Sequence, residues 1–169
     1  MRPPKLGDAG GLARAALDLA EQYAQLDADR FHVPEAGAVL AWYENALAKP
    51  LLENSVWLVA EVDGEAVGDA QAAIHEPVAN AAVQPQRDVG RRRVYLNYLA
   101  VQAAHRSHGI GGRLMEALEE WARENRAELI ETDTSLRSDV GAVRFYEKHG
   151  YETQSVILRK ASPSFTSRL

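Results

Sequence analysis

The chain has 169 residues, of which 46% are apolar and 25% charged, with a formal net charge of −5; this suits one soluble domain with a buried core and argues against a general nucleic-acid binder, which is usually basic. It contains no cysteine, so disulfides, cysteine-ligated zinc and a cysteine nucleophile are excluded, and no metal is expected. No apolar run approaches the ~20 residues of a membrane span, and Met1-Arg2-Pro3-Pro4 leads into no signal-peptide core, so the expectation is a cytoplasmic protein with no membrane or nucleic-acid partner.

Residues Leu12, Ala16, Leu19, Tyr23 and Leu26 recur at helical spacing and predict a first helix from about Gly11 to Arg30. A second helix follows Pro34, carries Val39, Leu40, Tyr43 and Leu47 on one side, and is stopped by Pro50. Ser55 to Val62 and Glu65 to His75 read as strands joined at Asp63-Gly64, a hairpin turn. Glu76 to Gly90 reads as a long loop, entered and left by polar and basic residues including Arg91-Arg92-Arg93. Val94 to Val101 is β-branched and aromatic, a central strand. Gly109 to Asn125 is an amphipathic helix and Glu128 to Thr134 another strand. Ser138 or Asp139 caps a further helix that ends at Gly150, Tyr151 to Lys160 is a last strand, and residues 161–169 form a tail. Hairpin early and crossovers late predict one α/β domain over 1–169 with a mixed sheet and helices on both faces.

The sharpest local feature is His105-Arg106-Ser107-His108-Gly109-Ile110-Gly111-Gly112, between a buried strand and an amphipathic helix. Glycines let a ligand approach the backbone, and the N–H groups of a first helical turn, with the helix dipole, suit a pyrophosphate. Glycines at such a turn can also serve packing alone. A Walker-type loop is excluded because Gly112 is followed by Arg113 and Leu114. A dinucleotide fingerprint starting at Gly109 would place Leu114 at its third glycine, although Glu131 falls near the ribose-binding spacing; a dinucleotide oxidoreductase is therefore a weaker alternative.

Arg106-x-x-Gly109-x-Gly111 after the strand Leu99-Ala100-Val101 resembles the acyl-CoA motif of the GNAT N-acetyltransferases. Ala142, Phe145, Tyr146, Glu147, Lys148, Gly150 and Tyr151 are similar, in register, to that family's second motif. The resemblance covers about the last two-thirds of the chain. It implies a GNAT acyl-CoA N-acyltransferase fold with a mostly antiparallel mixed sheet, acetyl-CoA as co-substrate, and an amine acceptor. It further implies that Leu99, Ala100 and Val101 line the pantetheine arm and that Arg106 with Ser107, His108, Gly109, Ile110, Gly111 and Gly112 holds the pyrophosphate. Tyr146 would protonate the leaving thiolate. Asp139 stands where the family prefers asparagine, and Asn97 where several members place a glutamate base; an aspartate lacks a donor and an amide cannot take a proton. Dimers are common in the family, and nothing in this chain decides the point.

An alkylammonium, with a pKa near ~10.4, must lose a proton before it attacks. Asn97 could position a water for this, and Glu61, Glu131, Asp133 or His75 could receive the proton. Without cysteine the expectation is direct attack in a ternary complex, with the backbone N–H near Val101 polarising the carbonyl. The departures at Asn97 and Asp139 keep open a non-catalytic acyl-CoA-binding regulatory module. The identity of the amine is not legible.

Overall fold

The computed structural model describes residues 1–134 and 141–157. Helices α1 (Ala9–Leu26) and α2 (Ala36–Leu47) precede the strands β1 (Ser55–Val62), β2 (Glu65–His75) and β3 (Arg93–Val101). Helix α3 (Ile110–Glu124), strand β4 (Leu129–Thr132) and helix α4 (Ala142–Lys148) follow. The sheet runs β1-β2-β3-β4 in space; the first two pairings are antiparallel and β3–β4 is parallel. A parallel pair needs a crossover, and α3 supplies it.

Two apolar layers hold the sheet between helices. On one face Leu12 and Ala13 of α1 and Tyr43 of α2 pack on Trp57, Val59 and Ala66. On the other, Ile110, Leu114, Met115, Leu118 and Ala122 of α3 cover Ala70, Ala72, Val94 and Leu96. The expected strands β1 and β2 are found with their predicted bounds. Asp63 and Gly64 both take positive φ, 51° and 85°, as a two-residue turn of the favoured hand requires.

Several segments differ from the sequence expectation, among them β4, which ends at Thr132 rather than Thr134. Helix α1 stops at Leu26 rather than Arg30, because the chain reverses there so that Phe31 stacks on Tyr23 with ring centroids 4.8 Å apart. The loop 76–90 contains two short 3-10 turns, Ala81–Val83 and Arg87–Gly90, tied by Val78 N–H to Val89 carbonyl at 3.0 Å. The expected last strand is not formed over 151–157, where residues 152–157 are exposed and make no ladder with β4. Residues 158–160 of that strand, the tail 161–169, and Ser138 and Asp139 lie outside the described residues.

Helix α4 starts after Gly141, whose φ is 75°, and ends as predicted at Gly150. There Gly150 N–H donates to Glu147 carbonyl and Tyr151 N–H to Tyr146 carbonyl, both at 3.0 Å, a paired closure that needs the left-handed φ of 82° at Gly150.

The first residues cover the free edge of β1. Arg2 and Val59 exchange backbone hydrogen bonds at 3.1 and 2.8 Å. The Arg2 guanidinium then grips both oxygens of the buried Asp8 at 2.7 Å and reaches Glu61 at 2.6 Å. Burial alone would raise the Asp8 pKa, but the Arg2 hydrogen bonds, the Lys5 N–H and the nearby charges more than offset it and hold the carboxyl below its ordinary range. Arg2→Ala strands that carboxylate, and chemical denaturation should show a loss of about 3 kcal/mol; a change within 0.5 kcal/mol, the ordinary scatter of surface substitutions, would mean the ion pair contributes nothing.

Candidate active site

Strand β3 decides where the site forms. Its ladder with β2 slips by one residue: Gln71 opposes Tyr98 and Ala72 opposes Leu96, so Asn97 is an unpaired bulge. A bulge bends the strand and reverses which side chains face which layer. Val94 and Leu96 pack in the α3 layer before it, and Leu99 and Val101 do so after it. The bulge leaves Asn97 exposed and brings Tyr98 to the α1 face.

The same point ends the pairing with β4, whose last partners are Leu96 and Thr132. Among the described residues no strand lies beside β3 beyond that pair. Gln102 N–H donates to Val67 carbonyl on the β2 side, and Ala100 carbonyl crowds Gly68 there. By the alternation of strand backbone, Leu99 and Val101 therefore point their N–H and C=O groups at the open edge. The Val101 carbonyl already accepts from Arg106 Nε at 2.9 Å.

The loop after β3 passes through a 3-10 turn, Ala103–His105, before reaching the helix. This turn separates Gly109 from the strand, unlike a dinucleotide fingerprint, where the glycine follows at once. Ser107 and Gly109 take φ of 63° and 76°. The first bond of α3 is Arg113 N–H to Gly109 carbonyl at 3.1 Å, and no side chain caps the helix. The N–H groups of Ile110, Gly111 and Gly112 thus receive no helical partner and form, with the helix dipole, an anion-attracting end. Gly111 and Gly112 also serve packing. A Cβ at Gly111 would lie 3.3 Å from the Phe145 ring, and one at Gly112 3.3 Å from His149. His105 and His108 sit in this loop, half-buried and exposed respectively.

A cavity of about 200 Å³ opens where β3 and β4 part. Tyr23 of α1, Arg30 and Phe31 after it, Asn97 and Tyr98 at the bulge, Asp133 after β4, and Tyr146 of α4 line it. Burial raises the Tyr146 pKa; the Thr132 hydroxyl lowers it in part, and Tyr23 and Asp133 raise it further. The phenol therefore stays protonated at neutral pH. Tyr95 donates to Asp133 Oδ1 at 2.5 Å, and this bond, with some burial and the charges of Asp133 and Glu131, pushes the Tyr95 hydroxyl up to about 12.

The other carboxylates in question lie elsewhere. Glu61 is held by Arg2 and by Lys5 at 3.3 Å, and Glu131 by Arg93 at 3.0 Å. His75 is exposed, its ring 5.9 Å from that of Tyr95. A wider depression of about 620 Å³ lies between β1 and α3. It is lined by charges of both signs, including Glu61, Arg113, Glu116 and Arg123, and shares only Ile110 with the loop. Among the described residues no group of three His, Asp or Glu side chains could hold a metal, and no helix is long and apolar enough to cross a membrane.

Behind the cavity wall sits a group that periodicity alone did not single out. Asp69 of β2 is fully buried. Its Oδ2 accepts from Trp57 Nε1 at 2.8 Å and Gln71 Nε2 at 2.9 Å, while Oδ1 has no hydrogen-bond partner among the described residues. Burial pushes its pKa up to about 6 despite those two bonds. The sequence signal was available: an aspartate inside an otherwise small and apolar strand, Ala66-Val67-Gly68-Asp69-Ala70.

A group whose pKa is raised on folding adds stability below its unfolded value and loses it as the pH climbs through the folded one. Stability should therefore fall by on the order of 3 kcal/mol between about pH 4 and 6.5 from Asp69 alone. Asp69→Asn should remove that slope and unfold at higher temperature than the parent at pH 7.5. Parallel pH–stability curves for the two proteins would show that the carboxylate titrates alike in the folded and unfolded chain, so that burial does not raise its pKa.

The profile of the Acetyltransferase (GNAT) family matches residues 26–151. The uncharacterised N-acetyltransferase YhfO of Bacillus subtilis (strain 168) is 36% identical over 110 residues, covering 63% of this chain and 66% of YhfO. YjcF of the same strain, of the same description, is 40% identical over 60 residues, 36% of this chain and 40% of its own length. The chain thus spans just under two thirds of the first relative and less of the second. Among solved structures, a mutant of the BH1408 protein of Bacillus halodurans superposes with a TM-score of 0.79 at 21% identity, covering 95% of this chain and 98% of that one. The aminoglycoside N-acetyltransferase AAC(6')-Iy in complex with CoA superposes with a TM-score of 0.56 at 20% identity, covering 86% and 87%. These two likenesses establish a shared fold.

Proposed function

Because the chain belongs to the Acetyltransferase (GNAT) family, we propose that it transfers an acetyl group from acetyl-CoA to a primary amine by direct attack in a ternary complex. The observation that carries the reading is the meeting of Tyr146, Asn97 and Asp133 in one cavity beside the open edge of β3. The residues present fit the co-substrate. The Leu99 and Val101 backbone offers an extended pantetheine amide a strand-like partner. The unpaired N–H groups of Ile110, Gly111 and Gly112, with Ser107, His108 and Gly109 before them, offer a pyrophosphate its donors. Arg106 braces this junction through the Val101 carbonyl and adds a charge. The AAC(6')-Iy structure, a protein of the same fold in complex with CoA, supports CoA as the class of co-substrate by analogy.

In the reaction, the amine nitrogen forms the new bond to the thioester carbonyl carbon and the carbon–sulfur bond breaks. The Val101 N–H on the open edge polarises the carbonyl. Tyr146 donates its hydroxyl proton to the departing thiolate, a task that suits a phenol kept protonated by burial. The proton released by the amine passes to Asp133, directly or through a water held by Asn97. Asp133 is preferred over Glu61, Glu131 and His75 because it alone of the four lines the cavity. Tyr95 holds the carboxylate in place.

Tyr146→Phe should bind acetyl-CoA normally and lose turnover by ~10²–10⁴, the span of a general acid. Asp133→Asn should depress the rate most at low pH, where little free amine is available. Unchanged single-turnover rates would remove either residue from the mechanism, and an isolable acetyl-enzyme with ping-pong kinetics would end the ternary-complex scheme.

Thermal unfolding tests the co-substrate. At about 100 times its dissociation constant, acetyl-CoA should add ~2.7 kcal/mol, a rise on the order of 5–10 °C for a chain of this size. NADH and ATP should not reproduce it. A larger shift with NADH would overturn the acyl-transfer reading.

A further inference from the structure

The mechanism leaves Asp69 unused, although burying a carboxylate costs several kcal/mol in general and is tolerated only where something is gained. Its place in the sheet is informative. Asp69 and Gln71 project from the same face of β2, and their partners across the ladder are Ala100 and Tyr98. Tyr98 is thus the diagonal neighbour of Asp69, a distance of roughly 7–8 Å between positions. The small Ala100 stands directly opposite and screens nothing. Tyr98 lines the cavity, and its buried hydroxyl meets that of Tyr43. Tyr43 of α2 closes the pocket behind, its ring 6.0 Å from that of Trp57.

The groups facing Asp69 are therefore Trp57 from β1, Gln71 from β2, Tyr98 from β3 and Tyr43 from α2. Tyr23 of α1 lies next to Tyr98. Among the described residues no Lys, Arg or His pairs with it. Its negative charge is felt at Tyr98 and Tyr43, both of whose phenols it pushes up after burial has done so. On the cavity side stand the rings of Tyr23, Phe31, Tyr98 and Tyr146, with the Asp133 carboxylate at the front. Aromatic faces with an uncompensated carboxylate behind them attract a cation and offer little to its neutral isostere. Arg30 also lines this cavity, its guanidinium 4.9 Å from the Phe31 ring; it is exposed, so solvent screens its opposing charge.

We propose that Asp69 is a specificity-determining residue: a fixed charge behind Tyr98 that makes the aromatic cavity select a small acceptor entering as a compact ammonium head. The inference rests on the reading of this cavity as the acceptor site. It acts on binding of the acceptor and not on acetyl-CoA.

The test uses choline and 3,3-dimethylbutanol, a cation and its neutral isostere, neither of which carries a transferable amine proton. Their binding to the whole protein is measured by calorimetry at pH 7.5, and the shift of the Trp57 indole N–H resonance reports whether they sit against the Asp69 wall. The parent protein should bind choline at least ~10-fold more tightly, the worth of a partly desolvated cation–π contact. Asp69→Asn should lose most of that preference while its thermal shift with acetyl-CoA is unchanged. Equal binding of the two probes, no binding of choline at millimolar concentration, or an undiminished preference in Asp69→Asn overturns the proposal. A purely structural role for Asp69 would weaken both probes together.

Should Asp69→Asn not fold, Asp133→Asn protein is compared at pH 7.5 and pH 5. A preference that collapses as Asp69 takes up its proton supports the proposal, and one that persists overturns it. A preference for choline that depends on Asp69, in a protein that gives no response to acetyl-CoA, would leave the cation site standing and remove the acyl-transfer reading.

Discussion

The bulge at Asn97 is the constraint on which the site depends. One extra residue in β3 does three things at once. It reverses the facing of every later side chain, so Leu99 and Val101 stay in the α3 layer while Tyr98 is delivered to the opposite face. It marks where β4 leaves the ladder, exposing a strand edge inside the molecule. It also sets Asn97 at the lip of the cavity that forms in the gap. An exposed edge is ordinarily a liability that proteins cover. Here the outer edge of β1 is covered by Arg2, yet the inner edge of β3 is left open beside a helix end with unpaired donors. That contrast is what gives the open edge its meaning.

The charges are allotted by the same logic. Asp8, Glu61 and Glu131 are all neutralised by arginines, and each serves the frame. Asp133 is instead held by a neutral tyrosine, which orients the carboxylate without cancelling its charge. Asp69 is held by two neutral donors and keeps one oxygen without a partner. These two carboxylates flank the aromatic cavity, one in front of its wall and one behind. Two acids without a cationic partner beside one small, aromatic-lined cavity direct negative potential into a space where it is less screened than in bulk water.

The glycines of the α3 loop show how one residue can answer two demands. Gly109 is required by its left-handed φ and opens the helix. Gly111 and Gly112 lie on the face of α3 that meets α4, where Phe145 and His149 come close enough to crowd a Cβ. The close approach brings α4, and with it Tyr146, to the cavity. The motif Arg106-x-x-Gly109-x-Gly111 is therefore a packing device as well as the anion site proposed for it, and both roles call for the same absence of side chains.

Strands and helices that carry regular apolar periods were legible from the sequence, because burial on one face is what that period records. This holds for β1, β2, the Asp63-Gly64 turn, α3 and the Gly150 stop. The bulge left a trace that a simple strand reading passes over: the aliphatic pairs Val94–Leu96 and Leu99–Val101 are out of phase by one residue, with Asn97 between them. The glycine loop leading into α3 was legible as well, since glycines and a helix start are local features. What the sequence by itself could not determine is which acids meet. Glu61, Glu131, Asp133 and His75 are equivalent as letters on strands, and only the tertiary arrangement separates Asp133 from the rest. The end of α1, likewise, is decided by a ring stack between Tyr23 and Phe31, and the strand expected after Tyr151 makes no ladder over residues 151–157. The physical reason is common to these cases. Backbone periodicity is written locally, whereas the partner of a charge, a ring or a strand edge lies at whatever distance along the chain the fold imposes.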